Sequence, residues 1–194
     1  MPSSLPEKVN DVSCIFEALD KAIADFQSVS GMDCFFGCGQ CCTKPDIEAS
    51  VLEFLPLASQ FYEEGKDEEM YNLLSRDSLD TICINFKSHS TSHDRGLCTQ
   101  YTNRGLICRL FGYSARVDKY GKNELVTCAR IKNESRDAYE KGKVHVDQGG
   151  EIPVMSNYYR QLQGIDFELA NQRLPINQAM LEALKIVMAY YAYR

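Results

Sequence analysis

Four of the nine cysteines in this 194-residue chain fall within nine consecutive residues, and no other feature constrains the fold as much. Thiolates spaced irregularly around glycine are the ligands that zinc and iron–sulfur clusters use. Eight of the nine thiols are therefore candidate metal ligands, enough for two four-thiolate sites. These eight are Cys34, Cys38, Cys41, Cys42, Cys83, Cys98, Cys108 and Cys128.

The composition narrows the class of partner and the compartment. The net charge of −6 argues against nucleic acid, because binding phosphates requires clustered Lys and Arg. No apolar run is long enough to span a membrane, and the first residues lack the apolar core of a secretion signal. We therefore expect a cytoplasmic protein with no nucleic-acid or membrane partner. In that compartment clustered cysteines are more often metal or redox sites than disulfides.

The N-terminal segment has apolar residues at steps of three and four, which predicts a helix over residues 7–29 that ends at Gly31. Cys14 lies in this pattern, far from the cysteine cluster, and we expect it to be a small buried apolar residue. The cluster itself is predicted to be a loop that opens toward a helix, because Gly37 and Gly39 permit tight turns.

Two further helices are expected before the second group of cysteines. The first begins at Pro45 and Asp46, breaks or restarts at Pro56, and continues to Gly65. The next covers residues 67–79 and contributes leucines and a methionine to the core.

The second half of the chain predicts a mixture of short elements. They are a β-hairpin over 113–117 and 124–127, a helix over 131–141, a loop over 142–153, a helix over 155–163 and a last helix from Pro175. Together these patterns predict a mainly α fold of six or seven helices. We expect residues 1–194 to form a single domain around an irregular cysteine-rich metal-binding centre, with flanking N- and C-terminal helices.

The spacing within the cluster suggests how its thiols divide. Cys38 and Cys41 are separated by two residues, which is the reach of a metal knuckle. Cys41 and Cys42 are adjacent, and neighbouring side chains rarely converge on one metal because the backbone directs them apart. One of the two is therefore expected to bind one site, while the other serves a second site or a supporting role.

The order of the cysteine elements resembles the YkgJ-type CxxCxxCC family, which is described as zinc- or iron-chelating and often as iron–sulfur oxidoreductases. The resemblance covers residues 33–130. The elements that carry it are Cys38-Gly39-Gln40-Cys41-Cys42, Cys83-Ile84-Asn85-Phe86, Cys98-Thr99-Gln100-Tyr101, Cys108-Arg109-Leu110-Phe111 and the trailing Cys128.

Three function classes remain open on the sequence. Soft, all-thiolate ligation favours one or two iron–sulfur clusters with a redox or oxidoreductase role, acting with an electron-transfer partner or a substrate. The alternative is a zinc-binding module with four-cysteine sites and no catalysis. A thiol–disulfide enzyme using Cys38 and Cys41 is disfavoured, since it leaves six cysteines unexplained and no thioredoxin-like βαβ pattern is visible.

Two arginines and two histidines are also candidates near a metal. Arg109 and Arg104 could hydrogen-bond to cluster sulfurs or offset the thiolate charge, or Arg109 could simply form a surface salt bridge. His89 and His93 lie four residues apart within a Ser/Thr-rich stretch, and we interpret them as part of an exposed polar linker rather than as zinc ligands.

Overall fold

The computed structural model describes residues 3–76, 82–89 and 95–193. Within these residues the chain forms nine α-helices and three two-stranded antiparallel sheets, so the prediction of a mainly α fold is confirmed. In chain order the elements are α1 (Leu5–Ser30), β1 (Glu48–Ser50), α2 (Leu55–Glu63), α3 (Asp67–Leu74), β2 (Phe86–Ser88), β3 (Gly96–Cys98), α4 (Leu106–Leu110), β4 (Ser114–Val117), β5 (Asn123–Val126), α5 (Ala129–Glu134), α6 (Arg136–Asp147), α7 (Met155–Ile165), α8 (Phe167–Asn171), β6 (Arg173–Pro175) and α9 (Ile176–Ala192).

The chain divides into two compact units. The first unit takes its described residues from Met1–Ser13, Gly37–Gly105 and Leu162–Arg194, and the second from Cys14–Phe36 and Leu106–Gln161. Helices α1 and α7 contribute residues to both. The prediction of a single domain remains a prediction, because a division into units does not by itself test it.

Helix α1 confirms the N-terminal helix and corrects the placement of Cys14. Gly31 ends the helix in the left-handed region, at φ 72°, and its N–H donates to the Gln27 carbonyl at 2.8 Å. Val12 and Phe16 are on the buried stripe. Cys14 follows Val12 by two residues, which is roughly 200° around a helix of 3.6 residues per turn. Its side chain is accordingly exposed, and the expectation of burial was wrong.

The helix expected from Pro45 is wrong, because β1 occupies part of that segment. Residues Glu48–Ser50 pair antiparallel with Arg173–Pro175, and the N–H of Val51 extends the pairing to the Gln172 carbonyl at 3.1 Å. The apolar residues at 47–55 are helix-like in spacing, but a strand partner more than 120 residues away outweighs that local pattern.

Helix α2 begins where the sequence suggested a restart. Pro56 lies in its first turn, where the missing N–H costs no hydrogen bond, and Gly65 at φ 66° follows its end. Helix α3 ends at Leu74, short of the predicted 67–79, and residues 77–79 lie outside the described part of the chain. Both helices pack against α9.

In the second unit the β4–β5 hairpin confirms the predicted pairing, with Ser114 opposite Val126. The predicted loop over 142–153 is partly wrong, since α6 continues to Asp147. A glycine usually weakens a helix, but Gly142 lets α6 lie against the Met32 side chain, where a Cβ would be only 2.8 Å from the sulfur. Helices α7 and α9 confirm the last two predicted helices.

Helices α4 and α8 and strands β2 and β3 were not predicted. Each has only three to five residues, which is too short to establish a period. In the part of the chain that the structure describes, no helix combines the length and the apolar character needed to cross a membrane.

Candidate metal centre

The loop over residues 37–44, here called the cysteine loop, is joined to the β2–β3 hairpin within the first unit. Strand β2 pairs with β3 so that Phe86 lies opposite Cys98. Cys38 forms an isolated antiparallel bridge with Arg95, immediately before β3. The cysteine loop therefore pairs with the hairpin at the start of β3, and this backbone pairing joins Cys38 to the segment that contains Cys98.

Two glycines allow this close approach around the Phe86 ring. A Cβ at Gly39 would lie 2.2 Å from the ring, and one at Gly96 would lie 2.4 Å from the ring and 2.4 Å from the Lys87 carbonyl oxygen. The N–H of Gly96 also donates to the Gly37 carbonyl at 2.9 Å. Neither Gly39 nor Gly96 can carry a side chain without displacing this packing.

A second set of backbone hydrogen bonds joins Cys42 to Cys83. The N–H of Cys42 donates to the Gly39 carbonyl at 2.9 Å, which closes a turn in the cysteine loop. The N–H of Cys83 then donates to the Cys42 carbonyl at 3.3 Å, and the N–H of Phe86 donates to the Cys83 carbonyl at 2.9 Å. Cys83 is thus held between the cysteine loop and the start of β2.

Cys41 differs from an ordinary thiol in its ionisation. A hydrogen bond from the Cys42 side chain, aided by backbone N–H groups and by the positive charge of Arg104, lowers the pKa of Cys41 to about 6. Cys41 is therefore a thiolate at neutral pH, which is the form that binds metal.

Cys83 and Cys98 shift in the opposite direction. Partial burial raises the pKa of Cys83 to about 11, and negative charge on Cys98 and Cys41 adds to the increase. Partial burial also raises the pKa of Cys98, with a further contribution from the charge of Cys41, while Arg104 opposes it. The charge contributions arise because the sulfurs of Cys41 and Cys98 lie close enough for negative charge on them to disfavour the Cys83 thiolate, and Cys41 has the same effect on Cys98.

Backbone N–H groups face the sulfurs of both half-buried cysteines. Asn85, two residues after Cys83, hydrogen-bonds to its sulfur, and Gln100 does the same two residues after Cys98. Such N–H groups stabilise thiolates and, in iron–sulfur proteins, help to set the reduction potential. In both turns these N–H groups therefore favour the thiolate form of the cysteine.

The donor chemistry fits a soft metal, whereas the side chains do not converge on one point. All nine cysteines lie within the described residues, and none of them forms a disulfide. Across residues 3–76, 82–89 and 95–193, no three His, Cys, Asp or Glu side chains lie close enough together to hold a metal ion. The formed cysteine-rich centre expected from the sequence thus remains a prediction. Thiols that repel one another as anions draw together only when a cation neutralises them.

The remaining predicted ligands belong to the second unit. Cys34 and Cys108 are exposed, Cys34 in the loop after α1 and Cys108 on α4. The sulfur of Cys128 accepts a hydrogen bond from the Ile131 N–H at 3.4 Å and so caps α5. The prediction that these three thiols also bind metal is not tested by this arrangement.

The two arginines have different surroundings. Arg109, in the second unit, is 3% exposed, forms an ion pair with Asp20 and lies 4.4 Å over the Phe16 ring. Arg104, in the first unit, lies 3.9 Å over the Tyr101 ring, and its charge lowers the pKa of both Cys41 and Cys98. Contact of either guanidinium with a bound cluster stays a prediction.

His89 takes part in this arrangement through its backbone, because its N–H donates to the Arg95 carbonyl at 2.9 Å. The side chain of His89 is exposed immediately after β2. His93, which we interpret as part of the same exposed linker, lies outside the described residues. Sequence reasoning missed Asn177, a buried asparagine at the start of α9 whose side chain contacts the Cys83 turn. Its position three residues before Met180, on the apolar face of the helix, was the available signal.

Loops that carry several thiols outside any disulfide, and that are joined by backbone hydrogen bonds, are typical of a cysteine-rich protein of the metal-binding class. A model of the CxxCxxCC family, described as a "putative zinc- or iron-chelating domain", matches residues 33–131, or 99 of the 194 residues. The chain belongs to this family, as its motifs predicted. No curated protein and no solved structure shows significant similarity to it.

Proposed function

We propose that this protein is an iron–sulfur protein with a redox role, and that its cluster is bound by cysteines of the first unit. The observation that carries the proposal is the backbone pairing that joins the cysteine loop to Cys83 and Cys98. Five thiols lie on these segments, which is one more than a four-coordinate site needs. They are Cys38, Cys41, Cys42, Cys83 and Cys98.

The roles of the adjacent pair follow from their ionisation. Cys41 has a pKa of about 6 because the Cys42 side chain donates to it. We assign Cys41 as a ligand because it is the thiolate of the pair, and Cys42 as the donor of the hydrogen bond that favours this thiolate. Cys38, Cys83 and Cys98 complete the ligand set.

The N–H groups beside the thiolates, rather than the ligand types, favour iron and sulfide over zinc. All the assigned ligands are thiolates, and both iron–sulfur clusters and zinc bind thiolates. N–H groups that hydrogen-bond to the sulfurs additionally tune the reduction potential of an iron–sulfur cluster. When bound, an iron–sulfur cluster supplies one-electron transfer. The residues hold the thiolates in place, the Asn85 and Gln100 N–H groups hydrogen-bond to sulfur, and Arg104 offsets negative charge.

The proposal includes an electron-transfer partner or a substrate whose identity the site does not specify. It also includes a cytoplasmic location, which the cysteine-dense sequence supports because that compartment keeps thiols reduced. Cys34, Cys108 and Cys128 are kept as candidate ligands of a second cluster.

Metal and sulfide analysis of protein prepared without oxygen tests the proposal. We expect a brown protein with iron and acid-labile sulfide in equal amounts, and a Mössbauer spectrum of tetrahedral iron–thiolate sites. Aerobic preparation is unsuitable, because zinc outcompetes Fe²⁺ for such ligands. Metal-free protein should therefore also be reconstituted with iron and sulfide.

Each outcome separates the candidate functions. A colourless protein that does not bind iron and sulfide but binds one zinc ion per site would support the alternative, a zinc-binding module. A protein that binds neither would end the case for a metal site. The exposed Cys14 supplies a matched control, because C14S removes a thiol outside the family match and should change neither metal nor sulfide.

A further inference from the structure

The side chain of Asn177 hydrogen-bonds to the backbone on both sides of Cys83. The N–H of Ile84 donates to Asn177 Oδ1 at 3.0 Å, and Asn177 Nδ2 donates to the Ile82 carbonyl at 2.9 Å. The carbonyl and the NH₂ ends of one amide are both used. A single buried side chain, 7% exposed, therefore fixes the backbone immediately before and immediately after Cys83.

A second contact from the same helix reinforces the first. Met180 lies almost one turn after Asn177 on α9, and its sulfur accepts a hydrogen bond from Asn85 Nδ2 at 3.2 Å. The Asn85 carbonyl in turn accepts from the Thr99 N–H at 2.8 Å. The Cys83 turn is thus tied to α9 on one side and to the residue after Cys98 on the other.

Helix α9 is a firm support for this turn. Ala179, Ala183, Leu184 and Val187 are fully or almost fully buried along one of its faces, and α2 and α3 pack against it. A ligand held from a packed helix keeps its position better than one held only by loop residues. A buried asparagine on such an apolar face would leave unsatisfied polar atoms if the Cys83 turn moved away.

We infer that α9 is a component of the metal centre, in which Asn177 is the positioning residue for Cys83. The inference rests on the proposed metal-binding function and assigns a role to a helix beyond the family-matched residues 33–131. Asn177 does not touch the metal. It holds the Ile82–Ile84 backbone in the orientation that directs the Cys83 thiolate toward the other sulfurs.

The test compares two substitutions of Asn177 with a control on the same helix. N177L removes both hydrogen bonds, and N177D keeps the acceptor for the Ile84 N–H but loses the donor to Ile82. Q178L alters the next residue, which is exposed. Affinities for Zn²⁺ and Co²⁺ are measured anaerobically on reduced protein by chelator competition. We expect N177L to bind both metals about 10- to 100-fold more weakly than the wild type, because losing the partner that orients a ligand typically has an effect of this size. The affinity of N177D should lie between those of N177L and the wild type.

Two readouts separate positioning from general stability. At saturating Co²⁺, the thiolate-to-cobalt charge-transfer absorbance of N177L should fall by about a quarter, which corresponds to one lost thiolate of four. In metal-free protein, hydrogen exchange at the Ile84 amide should be at least about tenfold faster in N177L than in Q178L, because that amide has lost its acceptor.

The outcomes distinguish the two proposals. If the wild type binds neither metal, the proposed function fails and this inference fails with it. If the wild type binds metal and N177D matches Q178L in affinity and cobalt spectrum, only the inference is overturned. If N177L does not fold, N177D still decides, because it retains one of the two hydrogen bonds.

Discussion

The two units of this molecule use cysteine in different ways. In the first unit, Cys41 raises the pKa of both Cys83 and Cys98, and the three thiols lie on segments joined by backbone hydrogen bonds. In the second unit, Cys128 caps α5 and packs beside an apolar cluster that includes Ile131. The same residue type thus lies near other thiols in the first unit and beside apolar side chains in the second.

The difference extends to the expected dependence on metal. The second unit has its own cluster of Phe26, Met32, Leu125, Ile131 and Val146, which needs no ion to hold it together. The cysteine segments of the first unit are turns and three-residue strands, and their half-buried thiols repel one another once charged. We therefore expect metal removal to loosen residues 37–44, 82–89 and 95–98 more than the second unit.

The largest contrast should come from serine substitutions in the two units. C83S removes a ligand held by α9 and should abolish cluster assembly and lower Zn²⁺ affinity by about 100-fold or more, since a thiolate contributes directly to the binding free energy. C128S should retain the first-unit metal. Iron, sulfide and zinc content per chain, measured anaerobically, checks both.

The C14S variant supplies the control, and the quantity compared is the metal content per chain. C14S should match the wild type. If C128S loses half of the metal, the second unit carries its own site and the contrast between the units is smaller than we state. If C83S keeps a full complement, the first-unit site is wrong.

The pH dependence of zinc binding should be the next largest effect. Between pH 6 and pH 11, Cys41 is a thiolate while Cys83 is still protonated, because their pKa values are about 6 and about 11. Zinc must displace the Cys83 proton, so affinity should rise about tenfold per pH unit for each proton released. Below pH 6, Cys41 also binds a proton and the slope should steepen.

Zinc affinity from pH 5 to 9, combined with proton release in an unbuffered titration, measures this slope. An affinity that is independent of pH above 7 would mean that Cys83 is already ionised or is not a ligand. C83S should reduce the slope by one proton if it retains measurable binding, which links the effect to that residue.

Glycine substitutions compare the packing of the two units. G96A should destabilise metal-free protein by about 1–3 kcal/mol, because its Cβ would meet the Lys87 carbonyl and the Phe86 ring, both at 2.4 Å. At Gly142 the nearest atom is the movable Met32 sulfur at 2.8 Å, and alanine gains about 1 kcal/mol of helix propensity. G142A should therefore cost less than G96A.

Urea unfolding under reducing conditions with a chelator gives both values. Equal losses would show that the close approach around Phe86 matters no more than ordinary helix packing. A G96A protein that is as stable as the wild type but binds zinc weakly would place the effect in the cysteine loop alone.

Local sequence patterns predicted the elements whose cause is local. The 3.6-residue period predicted α1, and residues 119–122 between two extended segments indicated the β4–β5 hairpin. The clustered cysteines identified the family. Each of these signals lies within about thirty consecutive residues or in a linear motif.

The sequence could not show what depends on distant partners. Strand β1 forms because β6 pairs with it, and Asn177 reaches the Cys83 turn from 94 residues away. The pKa of Cys41 depends on which way the Cys42 side chain points, and no spacing rule gives that. The cysteines identified the chemistry, while long-range contacts decide which thiols share an environment.

The smallest expected effect distinguishes the two arginines. R104Q should raise the pKa of Cys41, because Arg104 favours its thiolate, although by less than about one pH unit since the Cys42 hydrogen bond is the main cause. R109Q should leave that pKa unchanged, because Arg109 is paired with Asp20 in the second unit, and should lower thermal stability instead. The rate of iodoacetamide reaction at Cys41 against pH, read by mass spectrometry on metal-free protein, measures the shift. A pKa shift of equal size in R109Q would show that Cys41 responds to the total charge of the protein rather than to Arg104. The contrast between the two units would then not extend to their electrostatics.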